Sequence, residues 1–124
     1  MKYYHWDELE SVRMEENFLR KLVAGDRLTI ARTETAVGSQ MRQRCYPHEI
    51  FIMVIDGAWK VQVDGRMVII RANQILHIPP YMEHDVEALD DTLALEIQAT
   101  SSSAYYRMME GERHVEDENY LWGV

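Results

Sequence analysis

Two short stretches of this chain concentrate side chains able to do chemistry. Residues 44–49 read RCYPHE, and residues 77–85 read HIPPYMEHD. An arginine holds a carboxylate, phosphate or enolate through two parallel hydrogen bonds. A tyrosine beside it donates a proton or stabilises an oxyanion, and a histidine accepts a proton near neutral pH. Arg44, Tyr46 and His84 together therefore suit proton transfer without a metal ion: isomerisation, epimerisation, ring opening, cyclisation or elimination next to a carbonyl. The ligand for such a set is a small anionic organic molecule. Covalent hydrolysis fits less well, because Ser39 has no nucleophile motif around it and Cys45 lies between two inward positions.

Each of these residues also has a purely structural use. Arg44 can close an ion pair with Glu34 or Glu96, since buried charges are usually paired. Tyr46 can fill space as an aromatic, and the His84 ring can bond a backbone carbonyl. His48 and His77 read first as structural, although both stand close enough in sequence to join a binding site. Trp59 reads as core that can also line a pocket. The eight methionines, Met41, Met53, Met67 and Met82 among them, are adaptable filler around an apolar cavity.

The elements that must position these groups are strands. Turn signals recur along the chain, at Gly25-Asp26, Val37-Gly38, Asp56-Gly57, Asp64-Gly65, Asn73-Gln74, Pro79-Pro80 and Asp90-Asp91. Between them, residues 18–23, 28–35, 50–55, 58–63, 67–70, 75–78 and 93–97 are rich in Val, Ile, Thr and aromatics. Asp56-Gly57 and Asp64-Gly65 both offer the positive-φ positions of tight hairpins. Seven or eight short strands joined this way predict an all-β sandwich or barrel of antiparallel sheets. In that arrangement strand parity turns Arg44, Tyr46 and His84 inward, with Ile50, Ile52, Val54 and Val86 as an apolar wall. Residues 6–12 predict a short helix or a cover strand. Residues 103–110 predict one helix, with Ser103 as N-cap and Gly111 just past its end.

Residues 38–57 read GSQMRQRCYPHEIFIMVIDG and residues 73–88 read NQILHIPPYMEHDVEA, with fifteen residues between them. This pair resembles the two motifs of the cupin superfamily, over roughly residues 18–98. The phrases PHE, IPP and EH are similar to those of small single-domain cupins that act on uronates and related acids. The resemblance implies a cupin-type antiparallel β-barrel, a jelly roll or double-stranded β-helix, with a short N-terminal cover segment and a short C-terminal helix. It places the usual metal ligands, two His and a Glu or Gln from the first motif and one His from the second, at Arg44, Tyr46, Ile50 and His84. Only His84 keeps a ligand type. Arginine is permanently charged and cannot ligate, and isoleucine has no donor atom. The framework positions Gly38, Gly57 and Pro79 are kept. The expectation is thus a cupin without a metal cofactor, with Tyr46 and His84 as catalytic groups and Arg44, Ile50, Ile52, His48, His77 and Trp59 around the substrate. A rebuilt divalent-metal site would join His84 and Tyr46 to His48 or His77, and zinc is the ion that tolerates three protein ligands. A non-catalytic cupin that binds the same small acid is the alternative function.

Composition narrows the partners. The chain has 124 residues, room for a single domain, with 47% apolar and 27% charged residues. Its 21 acidic and 13 basic residues give a net charge of −8, which repels nucleic-acid backbones. The longest apolar run, residues 50–55, falls far short of the roughly 20 residues needed to cross a bilayer. No secretion signal is legible and Cys45 is the only cysteine, so a cytoplasmic protein is expected. In residues 50–55 both alternating sets are apolar, so the second face of that strand requires cover from the N-terminal segment, the C-terminal helix or another subunit, and a homodimer is expected.

Overall fold

The computed structural model describes residues 1–15 and 17–99. After a single 3-10 turn at Trp6–Glu8, the chain forms ten strands: β1 (Val12–Glu15), β2 (Phe18–Ala24), β3 (Thr29–Thr35), β4 (Gln40–Arg44), β5 (Ile50–Asp56), β6 (Ala58–Val63), β7 (Arg66–Arg71), β8 (Ile75–Ile78), β9 (His84–Ala88) and β10 (Thr92–Gln98). The segment at residues 6–12 thus contributes both a helical turn and the start of an edge strand. The helix expected at residues 103–110 lies outside the described residues.

The strands make two antiparallel sheets, six-stranded in the order β1-β2-β3-β10-β5-β8 and four-stranded in the order β4-β9-β6-β7. Alternation explains how they close on each other. In β3 and β10 every second residue is buried, and in β5 Ile50, Ile52 and Val54 are buried while Phe51 and Ile55 are not. The inward residues meet in one core around Phe18, Ile52, Trp59, Val61, Ile70 and Val86. Trp59 is wholly buried there, its indole N–H donating to Thr35 Oγ1 at 3.0 Å. Among the described residues no helix is long and apolar enough to cross a membrane.

The two Asp-Gly pairs do different work. Asp64 and Gly65 take φ of 50° and 73° and form the two-residue turn joining β6 to β7, with Val63 opposite Arg66. Asp56-Gly57 is not a hairpin, because β5 pairs with β10 and β8 whereas β6 pairs with β7 and β9. It is the corner at which the chain changes sheets. A Cβ on Gly57 would stand 2.5 Å from Asp91 O and Thr92 Oγ1, so only glycine fits that corner.

The outer face of the larger sheet carries an apolar row beside its charged residues Lys21, Arg32 and Glu34. Register places Val23, Ile30, Ile97 and Phe51 in one row across β2, β3, β10 and β5. Phe51 is 42% exposed and Ile75, on β8, is 61% exposed. The described residues leave this face partly uncovered.

Candidate functional site

The site grows from an irregularity in β4. Between Met41 and Arg44 the pairing with β9 shifts register, Gln43 adopts φ of 57°, and its N–H donates to Asp85 Oδ1 at 2.7 Å. This bulge puts Met41 and Arg44, three residues apart, on the same inward face. Arg44 then lies directly opposite His84, the first residue of β9. Tyr46 follows just past the end of β4, pinned where its carbonyl accepts the Tyr81 N–H at 2.7 Å.

The three side chains predicted to act together do meet. The Arg44 guanidinium lies 5.2 Å from the Tyr46 ring centre, and Arg44 Nε donates a short hydrogen bond to the Tyr46 hydroxyl. The Tyr46 and His84 rings meet edge to face, 5.7 Å between centres. All three residues are buried. Below them lies a charge cluster. Glu96, 0% exposed on β10, accepts from Arg20 Nη2 at 2.6 Å and from Thr33 Oγ1 at 2.8 Å. Its other oxygen faces Arg44 Nη1 at 3.1 Å, as an ion pair whose angles are too poor for a good hydrogen bond. Of the two ion-pair partners open to Arg44, Glu96 is therefore the one it uses, while Glu34 pairs with Arg32.

Electrostatics follow from this packing. Burial raises the Glu96 carboxyl, but the guanidiniums of Arg20 and Arg44 and the Thr33 hydroxyl outweigh it and hold it down at about 2. Burial likewise opposes the charge on Arg44, yet Glu96 and Tyr46 more than restore it, so the guanidinium stays cationic. Tyr46 is pushed up by burial, with Arg44 pulling the other way, and keeps its proton near neutral pH. His84 is pushed down to about 4, first by burial and then by the Arg44 charge. Its Nδ1 lies 3.1 Å from the Met82 carbonyl, which can only accept. The neutral ring therefore carries its proton on Nδ1 and presents Nε2 as a lone pair. Both readings of His84, a ring held by a backbone carbonyl and a proton acceptor, are satisfied by one tautomer.

The remaining candidates divide. His48 joins the group, its ring stacked 5.6 Å from Tyr46 and its Nε2 bonded to Gln98 Oε1 at 2.7 Å. Ile50 and Ile52 are buried in the wall beside it. Trp59 sits in the core against Phe18, and His77 does not come to the site at all. His77 lies on the solvent side of β8, with Glu49 at 2.7 Å and the Phe51 ring tilted against it, 4.8 Å between centres. The residues missed from sequence are Arg20 and Thr33. Both were legible by parity, since Arg20 alternates with Phe18 and Leu22 and Thr33 with Ala31 and Thr35.

Ile52, Val54 and Val86 belong to the buried apolar cluster of the core. Open space lies to one side, a cleft of about 560 Å³ between the β6–β7 turn and residues 81–85, and His84 is part of its lining.

A ten-stranded, two-sheet antiparallel jelly roll with its polar site on β4 and β9 is the architecture of small β-barrel binding proteins and enzymes. The profile of the cupin domain matches residues 33–99, more than half of the chain, and the protein belongs to the cupin family. A comparison with curated protein sequences gives no match. Among solved structures, KdgF from Halomonas sp. is similar at a TM-score of 0.74 and 19% identity, covering 79% of this chain and 94% of that one. An RmlC-like cupin from Shewanella frigidimarina has a TM-score of 0.74 and 15% identity over 80% and 90% of the two chains. Mutant oxalate decarboxylase OxdC of Bacillus subtilis has a TM-score of 0.70 and 15% identity, over 80% of this chain and 29% of that one. At these identities the likeness concerns the fold.

The four places where cupins hold a metal ion can now be judged on their chemistry. Arg44 is a guanidinium held cationic and Ile50 has no donor, which leaves His84 as the one imidazole among the four places. This set does not fit a divalent cation. Of the residues a rebuilt site would use, His77 lies away from the site beside Glu49, whereas His48 and His84 both meet the Tyr46 ring.

Proposed function

We propose that this cupin binds a small anionic carbonyl compound at Arg44 and moves a proton on it with Tyr46 and His84, without a metal ion. One observation carries the reading: Arg44 Nη2 and His84 Nε2 are buried with no hydrogen-bond partner among the described residues. Buried polar atoms are seldom left so, and each costs about 1–3 kcal/mol unless something fills the gap. Two guanidiniums, Arg20 and Arg44, share the single Glu96 carboxylate, so the cluster also has room for one more negative charge. A carboxylate on Arg44 Nη2 would accept from that donor and supply the charge, leaving the His84 Nε2 lone pair for a C–H or O–H of the same ligand.

The chemistry follows from the tautomer. His84 Nε2 takes the proton from a carbon next to the carbonyl, and the C–H electron pair becomes an enolate. The Tyr46 hydroxyl and the Arg44 charge stabilise the enolate oxygen, and His84 returns the proton to the carbon skeleton. No redox partner is needed. At rest burial, and after it the Arg44 charge, keep His84 weakly basic; a bound anion opposes the Arg44 part and so strengthens the base that acts on it. The same low basicity favours a second reading, a cupin that holds the acid unchanged. A cytoplasmic homodimer paired through the apolar row of the outer face completes the proposal.

The test is exchange in heavy water. The protein is incubated with pyruvate, phenylpyruvate or galacturonate and the protons next to the carbonyl are followed by NMR. Protein-dependent exchange that disappears in His84→Gln is the expected result. Binding without exchange would leave the second reading standing, and no binding by any acid would sink both.

A further inference from the structure

The cleft beside His84 contains one residue that neither packing nor backbone preference explains. Tyr81 is 70% exposed, so its ring contributes little to the core. Its φ is 61°, a left-handed conformation that bulky side chains rarely adopt and glycine adopts freely. It follows Pro79 and Pro80, and a left-handed residue after proline is the arrangement of a type II turn, where glycine is usual. The backbone is nevertheless held firmly, because the Tyr81 N–H donates to the carbonyl of Tyr46 in the buried site. The turn thus fixes an exposed aromatic ring at the cleft, one hydrogen bond away from the proposed chemistry. Met67 of β7 and Met82 share the lining with it and add polarisable apolar surface. Asp64, Glu83 and Asp85 outnumber Arg66 among the lining residues, so a second negative charge would be repelled there.

We infer that Tyr81 contacts the ligand, its ring forming a wall of the cleft for the flat, uncharged part of an acid whose anionic end sits at Arg44. The inference rests on the anion reading of Arg44 and narrows it to a monoanion with an aryl or other planar tail.

Calorimetric titration of the full chain with three probes tests it. Pyruvate has no tail, phenylpyruvate carries a ring, and 2-oxoglutarate carries a second carboxylate. Wild-type protein should bind phenylpyruvate most tightly and 2-oxoglutarate most weakly. Tyr81→Gly, whose backbone accepts the turn, should melt no lower than wild type. It should weaken phenylpyruvate about two- to tenfold, the range of one aromatic contact, and leave pyruvate unchanged. Tyr81→Asn, which also tolerates the left-handed region, repeats the measurement should the glycine variant not fold. Equal weakening of pyruvate and phenylpyruvate would make Tyr81 a structural support of Tyr46 and overturn the inference. So would no change in either, or a preference for 2-oxoglutarate. If neither pyruvate nor phenylpyruvate binds wild-type protein, the anion reading of Arg44 itself fails and the tail site with it.

Discussion

Replacing Glu96 by glutamine tests the charge cluster that holds Arg44 in place. Glu96 has no exposed surface and bears on Arg20, Arg44 and Thr33 at 2.6, 3.1 and 2.8 Å. Glutamine keeps the volume and removes the charge, leaving two buried guanidiniums facing a neutral amide. Breaking a buried ion pair from one side costs about 3–5 kcal/mol. The carboxyl gives the same scale independently, because a group held at about 2 instead of 4.5 contributes on the order of 3 kcal/mol at neutral pH. The sign is fixed by the direction: the contribution is complete above 4.5 and is lost as pH falls toward 2. Urea unfolding followed by fluorescence of the buried Trp59 should therefore show Glu96→Gln less stable by about 3–5 kcal/mol at pH 7. The gap should close as pH falls through 4.5. Adding Arg44→Met, which removes one stranded cation, should recover part of the loss. A deficit below about 1 kcal/mol at pH 7, the value of an exposed pair, would refute the account. A deficit unchanged at low pH would refute it as well.

Three further outcomes are expected. Tyr46→Phe strips Arg44 Nε of its hydroxyl partner, so stability should fall by about 1–3 kcal/mol in denaturant and exchange on a bound keto acid by about 10²–10⁴-fold. His84 takes up its proton near 6.5 when unfolded but only near 4 when folded, so wild-type stability should decline as pH drops from 6.5 to 4. His84→Gln should flatten that part of the pH–stability curve. Phe51→Glu puts a charge in the apolar row of the outer face; sedimentation should show a wild-type dimer and a monomeric variant, and a monomeric wild type would remove the homodimer from the proposal.

Much of the fold was readable because most strands announce themselves. The runs at 18–23, 50–55, 58–63 and 75–78 are dense in branched and aromatic residues, and the observed strands match them within one residue at each end. β4 is different. Its sequence QMRQR has no apolar alternation, and the bulge at Gln43 shifts its inward phase, a tertiary event that no local pattern records. The change of sheet at Asp56-Gly57 was invisible for a related reason, since the same dipeptide serves a hairpin or a corner depending on which strands lie near. Within the site, Arg44, Tyr46 and His84 were legible from motif spacing, because that spacing survives the change of side chains. Asn73 and Tyr81 keep left-handed φ of 69° and 61°, a conformation that glycine adopts freely and that their own side chains do not announce. His77 was misplaced near the site because four-residue β8 turns it to the solvent side, next to Glu49.

The Arg20–Glu96–Arg44 cluster also bears on how the chain reaches this structure. Arg20 and Glu96 are 76 residues apart, and Arg44 lies between them on the other sheet. No local segment can assemble the three charges, and each must shed its water before any of them is compensated. That dehydration needs β2, β4 and β10 brought together, a long-range event that closes large loops. Were the charges to close only after the folding barrier, Glu96→Gln would speed unfolding and leave the refolding rate almost unchanged, which stopped-flow kinetics read directly. The cluster would then be a latch, setting how slowly the fold opens rather than how fast it forms.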